Sequence, residues 1–222
     1  MADTRPSNSL AVISRRMLIA TAFAALPATL ATKAIAARGQ VITILGDSIT
    51  AGYGLPQADS LPIRLHAALE RLGVANMVRG AGVSGDTTQD GAGRMDFSIR
   101  PDTQVVVVAL GGNDILQGVD PKITRANLDR ILTRLKERHM GVVLAGMRAP
   151  REIGAGYARD FDAIYPSLAK LHGVTLYPDL LAGVARNKAL NQADAIHPNA
   201  AGVEVIVNRL APVVARELAK RP

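Results

Sequence analysis

The sequence predicts an α/β fold, a three-layer α/β/α sandwich around a roughly five-stranded parallel sheet. From residue 41 onward, short apolar runs of strand length alternate with longer segments of helical period. The strand runs are apolar along most of their length rather than at every second residue, so both faces of the sheet must be covered. No internal repeat, linker or low-complexity stretch interrupts residues 40–222.

Val41-Ile42-Thr43-Ile44-Leu45 opens the pattern as a buried strand stopped by Gly46. Leu61 to Leu72 has Leu61, Leu65, Ala68, Leu69 and Leu72 on one helical face. Val74 to Arg79 is a weaker strand, and Gln104 to Leu110, with four consecutive valines, is the clearest one. Asp120-Pro121 reads as an N-cap followed by proline in the first helical position. Ile123, Leu128, Ile131, Leu132 and Leu135 then form an apolar stripe. Val142 to Met147 is a further strand. Ala155 to Leu171 is helical but should be kinked or divided by Pro166. Val174 to Tyr177 is a short last strand, and Pro198 to Ala219 a closing helix with Val203, Val207, Leu210 and Val214 inward. Crossovers between parallel strands are right-handed by general rule.

Residues 1–36 stand apart from this pattern and read as an export signal. Arg15-Arg16 precede a 15-residue apolar run, Met17 to Ala31, and Ala34-Ile35-Ala36 fits a small-residue cleavage site. The run is short of the ~20 residues a spanning helix needs. Paired arginines resemble a twin-arginine signal, with a Sec signal the alternative. The protein is thus expected to meet the export machinery and to work in the periplasm or outside the cell. Residues 37–222 are expected to form one domain.

Without residues 1–36 the chain has 186 residues, and its net charge falls from +7 to +4. The remaining cations, among them Arg64, Arg71, Arg79, Arg94, Arg100, Arg134, Arg148 and Arg151, are scattered. Nucleic-acid binding therefore has no support, while transient contact with an anionic membrane surface stays open. Absence of cysteine excludes disulfides, thiolate catalysis and cysteine-based zinc sites. Aromatics make up only 3 % of residues and there is no Trp, which argues against a stacking groove for polysaccharide or single-stranded nucleic acid.

Four short clusters carry chemistry. Gly46-Asp47-Ser48 follows the first strand, Val83-Ser84-Gly85-Asp86 the second, Gly111-Gly112-Asn113-Asp114 the third, and Asp194-Ala195-Ile196-His197 precedes the last helix. Loops after parallel strands converge on one edge of the sheet, where such folds bind ligands. Ser48 is the candidate nucleophile, which needs a base in hydrogen-bond reach. His197 is the candidate base, and a helix N-terminus beside it would favour neutral imidazole. Asp194 would fix its tautomer. The backbone N–H groups of Ser48 and Gly85 and the Asn113 amide are candidate oxyanion donors, each such donor being worth about 10²–10³ in kcat. Taken singly, each cluster has a plainer reading. Gly-Asp-Ser is also an ordinary turn, Asp194 a capping residue, and Gly111 to Asp114 a glycine-rich turn. Thr50 stands where a G-x-S-x-G elbow has its second glycine, so the ordinary α/β-hydrolase pattern fits poorly. His66, His139 and His172 fall in or at the ends of predicted helices.

The ordered set resembles the SGNH (GDSL-type) hydrolases, and most closely their arylesterase, thioesterase I and lysophospholipase L1 branch. Leu45-Gly46-Asp47-Ser48, Ser84-Gly85-Asp86-Thr87-Thr88, Leu110 to Asp114, Ala163-Ile164-Tyr165-Pro166 and Ile196-His197-Pro198-Asn199 carry the likeness over roughly residues 41–212. Ile49 departs from the family's leucine. The resemblance implies a flavodoxin-like fold and a serine esterase with no cofactor and no metal. Ser48, Asp194 and His197 would be its catalytic triad, and Ser48, Gly85 and Asn113 its oxyanion hole. Expected substrates are small-molecule or lipid esters: aryl and short-to-medium acyl esters, with thioesters and lysophospholipids beside them. In that branch the loop after Asn113, here Ile115 to Val119, shapes the acyl pocket, and Met140, Met147, Ile115 and Leu116 are candidates to line it. A carbohydrate O-acetyl esterase of the same fold is the main rival, and a binding module without turnover the lesser one.

Overall fold

A computed structural model of the protein describes residues 1–2 and 39–220. The expected export segment lies outside the described residues except for Met1 and Ala2. Five parallel strands form one sheet: β1 (Gln40–Gly46), β2 (Asn76–Gly82), β3 (Val105–Ala109), β4 (Gly141–Ala145) and β5 (Thr175–Tyr177). Their order is β2-β1-β3-β4-β5, a doubly wound arrangement in which the chain reverses direction across the sheet between β1 and β3. Ile44 of β1 sits opposite Val107 of β3 and Gly80 of β2.

Helices cover both faces of the sheet. They are α1 (Ser48–Ala51), α2 (Leu61–Arg71), α3 (Thr88–Ser98), α4 (Gly112–Gln117), α5 (Pro121–Glu137), α6 (Ala155–Asp162), α7 (Ile164–His172) and α8 (Ala200–Ala219). α2 and α8 pack on one another, while α3, α5 and α7 pack in series. Every residue of β3 and β4 is buried. That explains why their sequences show unbroken apolar runs and no alternation.

Local chemistry sets the boundaries. Asp120 caps α5 by accepting the Lys122 N–H at 2.8 Å, and Asn199 caps α8 by accepting from Gly202 at 3.0 Å. The expected break at Pro166 falls earlier, at Ala163 between α6 and α7. Proline at 166 cannot bond the carbonyl four residues back, at Asp162, so the first helix ends there. β2 runs farther than its apolar residues suggest, through Gly80-Ala81-Gly82. Small residues are needed there because helices press on the strand: a Cβ at Gly82 would lie 2.4 Å from the Ala51 nitrogen. Leu72 and Ile123, placed on inward faces by spacing, are exposed. Leu72 caps α2 and Ile123 lies in the first turn of α5, where the helical face is not yet covered.

α3 has two glycines, Gly91 and Gly93, and no apolar stripe, so helical periodicity does not reveal it. Its signal is the cap. The Thr87 hydroxyl and the Asp90 carboxylate exchange hydrogen bonds with each other's backbone N–H groups. α4 is also helical where the sequence suggests a loop, held between Gly111 and Gly118, both at positive φ.

Candidate active site

The switch point between β1 and β3 sets two of the loops side by side. At the end of β1, Asp47 caps α1 by accepting the Ile49 N–H at 3.0 Å. Ser48 is the first residue of that helix, so its N–H has no intrahelical partner. From the far end of the chain comes a loop pinched by a bridge between Asn191 and Pro198. Inside it, Asp194 Oδ1 accepts the backbone N–H groups of Ile196 and His197 at 2.9 and 3.0 Å, and Ala195 takes φ +60°.

This places the three groups in line. Asp194 Oδ2 lies 2.6 Å from His197 Nδ1, and His197 Nε2 lies 2.9 Å from Ser48 Oγ. With a carboxylate at Nδ1, that nitrogen carries the proton and Nε2 presents its lone pair to the serine hydroxyl. The hydrogen bonds from His197 and Ile196 hold the Asp194 carboxyl down to about 2, so it stays ionised across the working range of an enzyme. One expectation needs correction. The last helix begins later than Pro198, at Ala200 behind its Asn199 cap, so His197 stands two residues before the cap. Asp194 is what orients the ring.

The donors converge as well. Gly85 has φ +90°, a conformation a side chain would strain. Asn113 Nδ2 donates one hydrogen to the Asp86 carbonyl at 2.9 Å, which leaves its second hydrogen for a ligand. Ser48, Gly85, Asn113 and His197 line one cavity of about 400 Å³, whose other walls include Ile115, Leu116, Met147, Leu181 and Ile196. Met140 does not belong to it. It precedes β4, at the sheet edge away from the site, whereas Met147 follows the same strand on the site's side.

Two residues have supporting roles that a motif reading does not give, although Asp114 stands within the third cluster. Arg94 of α3, one of the seemingly scattered cations, binds Asp86 at 2.5 Å and the carbonyls of Gly46 and Ala81 at 2.9 and 3.0 Å. It ties the loop of Gly85 to the ends of β1 and β2, and nothing in its sequence neighbourhood signals that. Asp114, fully buried, accepts from the Thr88 N–H, the Thr88 hydroxyl and the Thr124 hydroxyl at 2.8, 2.5 and 2.9 Å. It anchors the segment carrying Asn113. The other histidines lie elsewhere: His66 pairs with Asn76 at 2.9 Å, His172 with Asp129 at 2.6 Å, and His139 leads into β4.

Asp47 carries a cost. Burial pushes its carboxyl from 3.8 up to about 6, although the Ile49 N–H and the nearby imidazole pull the other way. The folded chain therefore holds this proton more tightly than the unfolded chain does. That contribution to stability is complete below about pH 4 and is lost as pH rises past about 6. Asp47→Asn keeps a cap acceptor without the charge. It is expected to be more stable than wild type by about 1–3 kcal/mol at pH 8 and equal to it at pH 4. Urea denaturation at both pH values checks this, and an equal gain at both would refute it.

Residues 44–205 match the model of the GDSL-like lipase/acylhydrolase family. An arylesterase of Vibrio mimicus is 34 % identical over 180 residues, 81 % of this chain and 88 % of that protein. Thioesterase 1/protease 1/lysophospholipase L1 of Escherichia coli K12 is 36 % identical over 165 residues, 74 % of this chain and 78 % of that protein. The crystal structure of AlinE4, an SGNH-hydrolase family esterase, is similar with a TM-score of 0.68 at 44 % identity, covering 81 % of this chain and 97 % of that one.

Proposed function

We propose that this chain, which belongs to the GDSL-like lipase/acylhydrolase (SGNH) family and hydrolyses ester bonds, works through an acyl-serine at Ser48. One observation carries the reading: the unbroken line Asp194–His197–Ser48, with contacts of 2.6 and 2.9 Å, opening on an apolar cavity. His197 Nε2 takes the Ser48 proton as Oγ attacks the ester carbonyl. The carbonyl oxygen gains negative charge and is met by the N–H of Ser48, the N–H of Gly85 and the Asn113 amide. Collapse expels the alcohol, which takes its proton from His197. Water then repeats the sequence on the acyl group and frees the acid.

The substrates are aryl esters and esters of short-to-medium acyl chains, with acyl thioesters and lysophospholipids accepted beside them. Ile115, Leu116, Met147 and Leu181 suit an acyl chain, since they offer apolar surface, with Arg148, Asp179 and Arg186 also on the cavity wall. The names of the Vibrio mimicus and Escherichia coli relatives favour the same range. Residues 1–36 direct export, so the enzyme acts in the periplasm or beyond it, on esters presented there.

Treating the purified protein with a fluorophosphonate and locating the adduct by peptide mass spectrometry tests the mechanism. A single adduct on Ser48 is expected, and an adduct on any other side chain overturns it. A panel of p-nitrophenyl esters of increasing chain length, with acyl-coenzyme A and lysophospholipid arms, tests the substrate range. Activity confined to acetylated sugars would reject it.

A further inference from the structure

The nucleophile loop over 46–54 and the histidine loop over 190–199 must hold one geometry although they are far apart in sequence. Among the described residues two hydrogen bonds join them. One links Ser48 Oγ and His197 Nε2 at 2.9 Å. The other runs from Gln192 Nε2 to the Tyr53 carbonyl at 2.8 Å. Gln192 Nε2 also donates to the Pro198 carbonyl at 3.0 Å, and its backbone N–H donates to the His197 carbonyl at 2.8 Å. Its side-chain amide thus ties the nucleophile loop at Tyr53 to the histidine loop at Pro198, next to His197. Tyr53 is fixed in turn, because its N–H donates to the Ser48 carbonyl at 3.0 Å and its ring lies 4.7 Å from the imidazole, centre to centre. Gly54 leaves room for the strap: a Cβ there would collide with Gln192 Oε1.

Catalysis separates the two bonds. Once Ser48 Oγ is esterified it has no proton, and the bond that tied the imidazole to the nucleophile loop is gone, while Asp194 still orients the ring within its own loop. His197 must still stand over the acyl carbonyl to receive a proton from water. We propose that Gln192 is a positioning residue that holds His197 in place through the acyl-enzyme stage, so that its amide serves deacylation above all. The idea rests on the acyl-serine reading. In that half-reaction a water oxygen bonds to the acyl carbon while its proton passes to His197 Nε2. The bond from that carbon to Oγ then breaks, the proton moves on to Oγ, and the carboxylic acid leaves.

Two variants test it. Gln192→Met keeps the length of the side chain without a donor, and Gln192→Ala removes both. With p-nitrophenyl butyrate in stopped flow, both are expected to lose about 10- to 100-fold in kcat, the scale of a slight misplacement. KM should fall with kcat, leaving kcat/KM near wild type, because acylation still governs that ratio. A burst approaching one p-nitrophenol per site should appear, with acyl-enzyme visible by intact mass. Fluorophosphonate labelling, which needs only the first half-reaction, should stay within a few-fold of wild type. The proposal is overturned if kcat is unchanged, or if kcat and kcat/KM fall together with no acyl-enzyme. Restoration by Met overturns it too, as does loss of labelling, since the side chain would then serve packing or the fold. A wild-type protein that takes no label on Ser48 sinks the acyl-serine reading instead, whatever Gln192 does.

Discussion

Ser48→Ala is expected to lower kcat on p-nitrophenyl butyrate by about 10⁶-fold, the scale seen when the nucleophile of a serine triad is removed. The size follows from what is lost. Without Oγ there is no covalent intermediate, and His197 has only water to activate, at a position set up for a serine. The cavity and the donors at Gly85 and Asn113 remain, so residual catalysis and substrate binding should persist above the background rate. The circular dichroism spectrum should not change, because among the described residues Ser48 Oγ bonds only His197 and α1 keeps its Asp47 cap. Fluorophosphonate labelling should vanish. A variant that still labels, or retains a tenth of wild-type turnover, would place the nucleophile elsewhere.

The fold was legible because its strands are buried on both faces and its helices are striped. Runs such as Val105 to Ala109 admit little but a central strand, and their alternation with helices leaves few topologies. Where the sequence misled, a neighbour had replaced the usual signal. Gly80 and Gly82 weaken β2 as a strand on paper because Pro62 and the Ala51 backbone need the space. α3 lacks a stripe because the Arg94 and Thr88 side chains turn toward polar partners, Asp86 and Asp114. The site was legible at the residues whose chemistry is rare in combination: a serine after one strand, an asparagine after another, a histidine three residues past an aspartate. Its scaffold was not. Arg94, Asp114 and Gln192 each bind at least one backbone group of another segment, and a backbone partner leaves no trace in residue identity. Met140 was misplaced against a rule already at hand: it precedes β4, whereas ligands gather beyond the carboxyl ends of parallel strands, where Met147 lies.

His197→Ala is expected to match Ser48→Ala, with about a 10⁶-fold loss in kcat. The imidazole acts twice per turnover, once on the serine proton and once on the proton of the attacking water, so both half-reactions fail. Asp194 cannot stand in for it, because its carboxyl is held near 2 and is therefore a poor base at neutral pH. The labelling rate with a fluorophosphonate should fall with turnover, in contrast to the behaviour expected of the Gln192 variants. Comparison with the double variant is the sharper measurement. If the two side chains form one relay, the variant lacking both should be within about tenfold of either single variant, since removing the second member of a broken unit costs little. Losses that multiply instead would show that Ser48 and His197 contribute separately, and the 2.9 Å contact between them would then be a neighbourly hydrogen bond rather than the path of the proton.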